Sequence, residues 1–428
     1  MFYTYQGDIL FWNGDNTSLL CDKIEKDLRL QYSYSGPYFL YNENILKARL
    51  QMFVDNFPGS QLYYSVKSLS NIHILKLIEG YKSFGLDVVS GGEIQRGLAS
   101  GFKGSRMVYA GVGKTEEEIK LGLRENLKSF HVESVSEIRQ IERIAKREGL
   151  RAPITLRLNP DIPVDTHKYI KTGVEGAKFG LNAGELVESV SIIKESENIS
   201  LVGLQVHLGS QLLDKEVYFK GLDFLTNVAH NLESSLSTKI EYLSLGGGFG
   251  IDYNSTFTGD INVEFPLSDF AAGLAGKKNQ RWRIDFEPGR FISAHSGLLV
   301  AHVLYIKPRN DFTIAITDAG MSELIRPALY GATHKILSIV KSSDEMVDYD
   351  VVGPICESGD FFARKMNLNK LREGDKIAIA HAGAYGSVMS SNYNSRPYVP
   401  EFLVTGESIR LIRRPQMPEN IYSLELLA

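Results

Sequence analysis

Short apolar segments alternate with longer charged segments from residue 62 onward, and this rhythm limits the possible folds more than any other feature. The apolar segments are rich in aromatic and β-branched residues, which favour strands, and charged segments such as 114–124 and 134–147 are helix-like. Alternating strands and helices predict a parallel sheet, and eight strands favour a closed (β/α)8 TIM barrel over an open doubly wound sheet. The predicted strands are 62–66, 86–89, 107–110, 129–132, 154–158, 201–207, 241–245 and 283–286.

The rhythm changes after about residue 293, where strand-like segments follow each other with turns between most of them. We predict a barrel domain at 38–292 and a β-rich C-terminal domain, a β-barrel or sandwich, at 293–428. The N-terminal segment, 1–37, precedes the first barrel strand and is assigned to the second domain. The predicted elements of that domain are strands at 298–306, 313–317, 349–352, 376–380 and 409–412, and one helical stretch at 324–341.

Composition excludes several classes of protein. A net charge of −4 and a pI near 6.2 provide no basic surface for nucleic acid or an anionic membrane. The N-terminus lacks a basic region followed by an apolar run, so we expect no signal peptide. With only Cys21 and Cys356, far apart in sequence, we expect no disulfide framework and a reducing, cytoplasmic location. We expect no membrane partner and no metal site.

Lys67 ends the apolar run of the first predicted strand, LYYSV. A lysine at the carboxyl end of a buried strand would be desolvated, which lowers the pKa of an amine and makes it a candidate Schiff-base former. On this segment alone, a solvated lysine that merely follows a strand is the more common situation.

Two loops after the last predicted barrel strands have the composition of an anion site. In a (β/α)8 barrel the loops after strands seven and eight often hold a phosphate. Here they contain Gly246, Gly247 and Gly248, whose backbone N–H groups can approach an anion closely, and Arg290, whose guanidinium suits phosphate or carboxylate. A plain tight turn explains the glycines about as well, but their position and the arginine favour an anion site.

A phosphate site and a strand-end lysine in one barrel suggest pyridoxal 5′-phosphate (PLP), held covalently by Lys67. Glu287, after the eighth strand, is a candidate partner for the pyridine nitrogen, although a salt bridge to Arg290 is the alternative. His207 ends the sixth strand, where it can stack on the ring or be merely structural. Ser210 follows in a turn and can donate to the phosphate.

A series of ordered motifs extends over nearly the whole chain and resembles the fold-type III PLP-dependent decarboxylases, in particular the diaminopimelate decarboxylase family. Each motif has its own place in that fold, so the resemblance is specific. The motifs are YYSVKS around Lys67, RLNPD at 157–161, HLGSQ at 207–211, GGGFG at 246–250, EPGR at 287–290, DAGMSELIRPALY at 318–330, GPICESGDFF at 353–362 and GAYGSVMSSNYNSRP at 383–397.

The resemblance implies a role for each matching residue. It implies that Lys67 binds PLP covalently, that His207 stacks on the ring, and that Cys356 donates a proton to the substrate carbon. It implies a homodimer in which Cys356 and Glu357 act in the active site of the other subunit. The implied cofactor-binding residues are Lys67, His207, Ser210, Gly246, Gly247, Gly248, Glu287, Gly289, Arg290 and Tyr385; the implied substrate-binding residues are Arg290, Arg326, Tyr330, Glu357 and Tyr385.

The implied reaction is the decarboxylation of meso-2,6-diaminopimelate to L-lysine and CO₂, the last step of lysine biosynthesis. The residue types suit it, because Arg290 and Arg326 can bind a carboxylate bidentately and Glu357 can pair with an ammonium group. A decarboxylase of the same fold acting on carboxynorspermidine, ornithine, arginine or a carrier-bound amino acid is the main alternative. A non-catalytic PLP protein fits the retained Lys67, Cys356 and two phosphate loops less well. A fold-related racemase fits CESGDFF and its acidic partner less well than a decarboxylase does.

The chain departs from the family pattern in two places. Ser68 and Leu69 follow the lysine where Ala-Asn is usual, and residues 398–401 replace a common Arg and Pro-Ala-Glu sequence. Neither change removes a proposed catalytic group, but both could reshape the pocket mouth or the dimer contact. The segment 161–180, with His167, Lys171 and Lys178, is a candidate cover for the site.

Overall fold

The computed structural model describes residues 2–160, 179–236, 238–253, 264–277, 281–406 and 408–426. Most of the candidate cover at 161–180, including His167, Lys171 and Lys178, lies outside the described residues. The strands are β1 (Tyr3–Gln6), β2 (Ile9–Trp12), β3 (Asp15–Asn16), β4 (Tyr38–Asn42), β5 (Leu62–Ser65), β6 (Phe84–Val88), β7 (Met107–Tyr109), β8 (Ser129–Val132), β9 (Ala152–Leu158), β10 (Ile199–Val206), β11 (Tyr242–Ser244), β12 (Arg283–Asp285), β13 (Gly297–Pro308), β14 (Thr313–Thr317), β15 (Ile336–Ser338), β16 (Met346–Val352), β17 (Phe361–Asn369), β18 (Lys376–Ile379), β19 (Glu401–Thr405) and β20 (Ser408–Arg413). The helices are α1 (Thr17–Tyr32), α2 (Glu43–Asn56), α3 (Ile72–Glu79), α4 (Gly91–Ala99), α5 (Glu116–Arg124), α6 (Val135–Glu148), α7 (Ala183–Glu195), α8 (Glu216–Leu236), α9 (Leu267–Gly276), α10 (Arg290–Ser293), α11 (Arg326–Tyr330) and α12 (Pro418–Tyr422).

Packing divides the chain into two compact units. The barrel unit contains residues 50–251 and 264–291, and the terminal unit contains residues 1–49, 252–263 and 292–428. This division places residues 38–49, which include β4, with the terminal unit rather than with the barrel. None of the helices in the described ranges is long and apolar enough to cross a membrane.

In the barrel unit, strands β5 to β12 form one parallel sheet in sequence order, as the alternating pattern predicts. A parallel bridge between Leu62 and Phe286 joins the first strand to the segment after the last, and the N–H of Tyr63 donates to the carbonyl of Phe286 at 2.8 Å. These contacts close the sheet, and the predicted (β/α)8 barrel is confirmed.

The helices around the barrel begin where local sequence satisfies their first N–H groups. Thr115 and Glu118 form a capping box at α5, and Asn182 and Glu185 form another at α7. Ser134 caps α6, which ends at Gly149 in the left-handed conformation that glycine tolerates best. Local capping therefore fixes these helix ends independently of the active site.

The terminal unit contains a branched nine-stranded sheet organised by the long strand β13. The first half of β13 pairs with β4 and β18, and its second half pairs with β14, so one strand joins two parts of the sheet. Strands β1 to β3 form a small antiparallel sheet, and the N–H of Leu10 donates to the carbonyl of Ile339 at 2.9 Å. The N-terminal segment packs in this unit, with Trp12 and Leu20 in its core.

The helical stretch predicted at 324–341 is wrong for most of its length. Only α11 is helical there, because Gly331 ends it in the left-handed conformation, and β15 follows as an antiparallel partner of β18. Strands β17 and β19 were not predicted from the sequence. Their residues alternate less regularly, because the partner strand decides which face is buried.

Candidate active site in the barrel

Lys67 lies in a short 3₁₀ turn directly after β5, at the carboxyl end of the first barrel strand. Its Nζ is 3.1 Å from Oδ2 of Asp87, which lies on β6 near the same edge of the sheet. The Lys67 side chain is 41% exposed and that of Asp87 is 1% exposed, so the predicted burial of the lysine is wrong. A buried carboxylate, rather than an apolar wall, holds this amine in place.

Glu287 is buried inside the barrel, and both of its carboxyl oxygens are held. Oε1 accepts from Ser244 Oγ at 2.7 Å and Oε2 accepts from Gln205 Nε2 at 3.0 Å, so these residues, not Arg290, are its partners. Burial and the nearby charge of Asp87 raise the pKa of Glu287 to about 7. A carboxyl group with this pKa can exchange a proton near neutral pH.

His207 follows β10 and lies beside the glycine loop, where a Cβ on Gly246 would come within 3.1 Å of its Nδ1. Burial and the positive charges of Arg157 and Lys67 hold the pKa of His207 well below its usual value. The imidazole is therefore neutral, which suits stacking against a flat, electron-poor ring better than a charged imidazolium.

Ser210, the glycine loop and Arg290 lie together. Nη2 of Arg290 donates to Ser210 Oγ at 3.1 Å, and Gly246 and Gly248 have φ values of 68° and 93° that favour glycine. A Cβ on Gly247 would lie only 2.3 Å from the carbonyl oxygen of Glu287. The predicted anion loop is therefore built against the strand end that carries Glu287, and close packing requires its glycines.

Several buried polar atoms inside the barrel have no hydrogen-bond partner among the residues that the structure describes. They are Oδ1 of Asp87, both ring nitrogens of His131 and Oε1 of Gln205. Buried polar groups normally have partners, so these atoms point to a polar occupant of the barrel. The groups present here fit PLP. The amine suits its carbonyl and the predicted anion site suits its phosphate. The proton-exchanging acid suits its basic nitrogen, and the neutral imidazole suits its flat ring.

Four polar residues of this site were not predicted from the sequence. Asp87 stands in the apolar run GLDVV, and a charge inside a buried strand was the signal that could have identified it. Glu93, in the first turn of α4, accepts from the N–H of Val89 at 2.7 Å, and burial raises its pKa to about 7. The list is completed by His131 on β8, 3.7 Å from Glu287, and Arg157 on β9, whose Nη1 is 2.8 Å from Glu133.

Of the other predicted site residues, Gly289 lies in the barrel unit, where a Cβ on it would come within 2.9 Å of Ser65 Cβ, and the rest belong to the terminal unit. Arg326 is buried at the first position of α11, and Tyr330 is the last residue of that helix. Tyr385 follows the turn GA and has a φ of 57°, which is uncommon for a residue with a side chain. A residue held in this conformation is fixed by its surroundings.

Cys356 and Glu357 are both exposed in the single chain, on the loop between β16 and β17. Asp360 shapes this loop, because its side chain accepts from the N–H groups of Met321 and Ile355, each at 2.6 Å. The N–H of Cys356 itself donates to Asn394 Oδ1 at 3.1 Å. An ordered loop that presents a thiol and a carboxylate to the outside is suited to act on a group held elsewhere.

Comparison with known proteins identifies relatives of the whole chain. Residues 43–294 match the family described as pyridoxal-dependent decarboxylase, pyridoxal binding domain. The diaminopimelate decarboxylase of Haemophilus influenzae is 40% identical over 402 residues, which covers 93% of this chain and 95% of the relative. That of Aquifex aeolicus is 36% identical, with 90% of each chain covered.

A solved structure is similar over the same extent. The crystal structure of diaminopimelate decarboxylase from Helicobacter pylori complexed with L-lysine has a TM-score of 0.86 and 38% sequence identity. The match covers 93% of this chain and 98% of that one.

Proposed function

Since the chain belongs to the diaminopimelate decarboxylase family of PLP-dependent decarboxylases, we propose that it converts meso-2,6-diaminopimelate to L-lysine and CO₂, as the last step of lysine biosynthesis. The observation that carries this proposal is the barrel rim on which the Lys67–Asp87 pair, the buried acid Glu287 and the anion loop are contiguous. The chain is a carboxy-lyase, and the identity of its amino-acid substrate is the part that the experiment below must test.

PLP is the cofactor of this family. When bound, it accepts into its ring the electron pair that the departing CO₂ leaves on the substrate carbon. We assign Lys67 as the covalent attachment point and His207 as the residue stacked on the ring. The phosphate would be held by Ser210, Gly246, Gly247, Gly248, Gly289 and Arg290, with Tyr385 as a further contact.

Glu287 would pair with the ring nitrogen. Ser244 and Gln205 each donate to one of its oxygens, so the orientation of the carboxyl group is fixed. Its protonation state is then the property that a bound ring nitrogen would change. The pKa of the Glu287 carboxyl is raised to about 7. A protonated ring nitrogen beside the carboxyl would favour its ionised form, and the two groups would form an ion pair.

Lys67 would supply the amine at the barrel rim, and Asp87 would hold that amine in place. Asp87 Oδ2 lies 3.1 Å from Lys67 Nζ and also accepts from Ser65 Oγ at 2.8 Å, so the carboxylate is oriented before the amine uses it. Lys67 would be the attachment point of PLP, and Asp87 would hold its Nζ in place as an ammonium group whenever that amine is free of the cofactor.

Substrate recognition needs cations for carboxylates and an anion for the remote ammonium. We assign Arg290 and Arg326 to carboxylate binding, Tyr330 and Tyr385 to hydrogen bonding, and Glu357 to the ammonium group. Cys356 would donate its thiol proton to the carbon that has lost CO₂. Because Cys356 and Glu357 are exposed in the single chain, we propose that a homodimer supplies them to the active site of the partner subunit.

We also propose a cytoplasmic location, a PLP-binding domain at 38–292 and a β-rich domain at 293–428 that takes in 1–37. The described strands β5 to β12 and the match at 43–294 support the first of these domains. The net charge of −4 supports the absence of nucleic-acid and membrane partners.

The test is release of CO₂ from four amino acids assayed side by side: meso-diaminopimelate, L-ornithine, L-arginine and carboxynorspermidine. We expect turnover of meso-diaminopimelate with stoichiometric L-lysine. The second carboxylate that Arg326 is assigned to bind is absent from ornithine and arginine, which should therefore react poorly. Turnover of one of the other three alone would assign the chain to the alternative substrate class.

A further inference from the structure

Arg326 is the only residue of the assigned substrate-binding set that is buried in the terminal unit. Its side chain leads from the first position of α11, and 5% of its surface is exposed. A buried guanidinium is costly unless neighbouring groups hold it, so its surroundings decide where it points. Two of the neighbouring residues are His334 and Tyr253, and neither belongs to a motif identified in the sequence.

His334 holds Arg326 through a fixed tautomer. Its Nε2 is 2.7 Å from Arg326 Nη1, and its Nδ1 is 2.8 Å from the carbonyl oxygen of Ala380. Because a guanidinium only donates and a carbonyl only accepts, Nδ1 carries the proton and Nε2 accepts from the arginine. The imidazole is fully buried, so it is a rigid bracket between the arginine and strand-end backbone.

Tyr253 supports the same guanidinium from its face. Arg326 Cζ lies 4.6 Å from the centre of the Tyr253 ring, within the range of a cation–π contact. The ring is packed edge-on against His334, at 5.2 Å and 71°, and against His381, at 6.0 Å and 86°. Although Tyr253 follows the seventh barrel strand in sequence, it packs in the terminal unit with these residues.

The backbone of Arg326 is fixed as well. Pro327 occupies the second position of the helix, and Gly331 ends it with a φ of 63°, its N–H donating to the carbonyls of Arg326 and Pro327. Arg326 and Tyr330 are four residues apart on this helix and therefore share a face. Side chain and backbone are both held, and a cation oriented in advance loses little freedom when a carboxylate binds.

We propose that His334 and Tyr253 are positioning residues that aim Arg326 and thereby set recognition of the substrate carboxylate that is not removed. This inference rests on the proposed function, because it takes Arg326 as the group that binds that carboxylate. Removing either support should weaken binding of any ligand that keeps this carboxylate. Ligands without it should be unaffected, since the change acts through Arg326 alone.

The experiment measures binding of two ligands to the PLP-loaded protein by titration calorimetry. L-Lysine keeps the carboxylate, and cadaverine, the diamine without carboxylates, lacks it. His334→Asn keeps a donor for the Ala380 carbonyl but has no acceptor in reach of Arg326. His334→Gln places an amide oxygen near the position of Nε2 and should restore the bond. Tyr253→Leu removes the ring, and Tyr253→Phe keeps its face.

We expect His334→Asn to weaken L-lysine binding roughly tenfold or more and cadaverine binding less than about twofold. His334→Gln should recover most of the loss, and Tyr253→Leu should weaken L-lysine binding more than Tyr253→Phe does. In steady-state assays the loss should appear in KM and not in kcat. In an Arg326→Lys background, His334→Asn should add no further loss.

The reference variant separates two kinds of failure. If Arg326→Lys itself leaves L-lysine binding unchanged, the proposed role of Arg326 is wrong and the inference fails with it. If Arg326→Lys weakens L-lysine but His334→Asn and Tyr253→Leu do not, only the positioning role is overturned. Equal losses for L-lysine and cadaverine also overturn it. Thermal melting identifies folded variants, and the Tyr253 pair decides if His334→Asn does not fold.

Discussion

Two groups of polar side chains, one in each unit, contain the same residue types but differ in how completely their polar atoms are paired. The barrel-rim group (Lys67, Asp87, His131, Glu287) leaves atoms of Asp87 and His131 without partners in the described structure. In the His302 group (Glu25, His302, Asp318, Lys376), both ring nitrogens of His302 face carboxylates, at 2.7 and 3.2 Å. A group with unpaired atoms is suited to bind something, whereas a fully paired group is suited to hold the fold together.

The two histidines show how the partners decide the charge. Burial lowers the pKa of His131 to about 3. Burial also opposes the charge of His302, but its hydrogen bonds to Asp318 and Glu25 outweigh that cost and raise its pKa to about 9. Burial of a histidine therefore does not by itself distinguish a binding site from a structural group. The completeness of its hydrogen bonding does.

The largest expected effect is the loss of activity in Lys67→Ala, by about a thousandfold or more, because the covalent attachment point is removed. The visible absorption of bound PLP should change with it, while the melting temperature stays close to that of the wild type. The matched control is Lys376→Ala in the His302 group, where the melting temperature should fall and the activity should remain. The reverse pattern would contradict the division between the two groups.

Glu287→Gln should lower kcat by about a hundredfold, because a neutral amide cannot pair with a protonated ring nitrogen. The change keeps the size of the side chain, so Ser244 still has an oxygen to bind and folding should survive. Glu25→Gln is the corresponding change in the His302 group, and it should alter the melting temperature without altering kcat. Steady-state kinetics and thermal melting of both variants check the comparison.

Mixing two inactive proteins tests whether the exposed Cys356 serves the partner subunit. Lys67→Ala and Cys356→Ala homodimers should each be inactive, and random exchange should place one intact site in half of the dimers. CO₂ release should then recover to about a quarter of the wild-type value. If size-resolved labelling shows that subunits exchange and no activity returns, each subunit uses its own Cys356.

The smallest expected effect is on stability at alkaline pH. Because the folded pKa of His302, about 9, is above its ordinary 6.5, its charge stabilises the fold fully below about pH 6.5. That contribution disappears as the pH rises through about 9, and linkage limits it to about 3 kcal/mol. Thermal melting of wild type and His302→Gln across this range should show the difference shrinking, and a constant difference would refute the role of the charge.

The pH dependence of stability that His131 contributes has the opposite sign. Its folded pKa, about 3, is below the ordinary 6.5, so the unfolded chain binds a proton that the folded chain does not as the pH falls from 6.5. His131→Asn should remove this part of the acid sensitivity and leave the alkaline part, which belongs to His302, unchanged. The pair of melting curves would separate the two clusters by pH.

The sequence alone determined the architecture of the barrel and much of its rim. Strand–helix rhythm needs only local periodicity and caps, so all eight barrel strands were predicted within a few residues. The glycine loop and EPGR are predicted to bind phosphate because they follow the last two barrel strands, where (β/α)8 barrels often hold one. The sheet of the terminal unit was harder, since β13 collects partners that are distant in sequence.

Only the tertiary structure decided which polar groups meet. Nothing local in GLDVV shows that Asp87 holds Lys67, or that His131 lies near Glu287, because neighbouring strands bring these residues together from far apart in the chain. For the same reason, the partners of Arg326 come from two separate segments, at Tyr253 and His334, and the carbonyl of Ala380 in a third segment holds His334. Periodicity reports which face of an element is buried, but charge states depend on contacts across elements, and those contacts exist only in the folded chain.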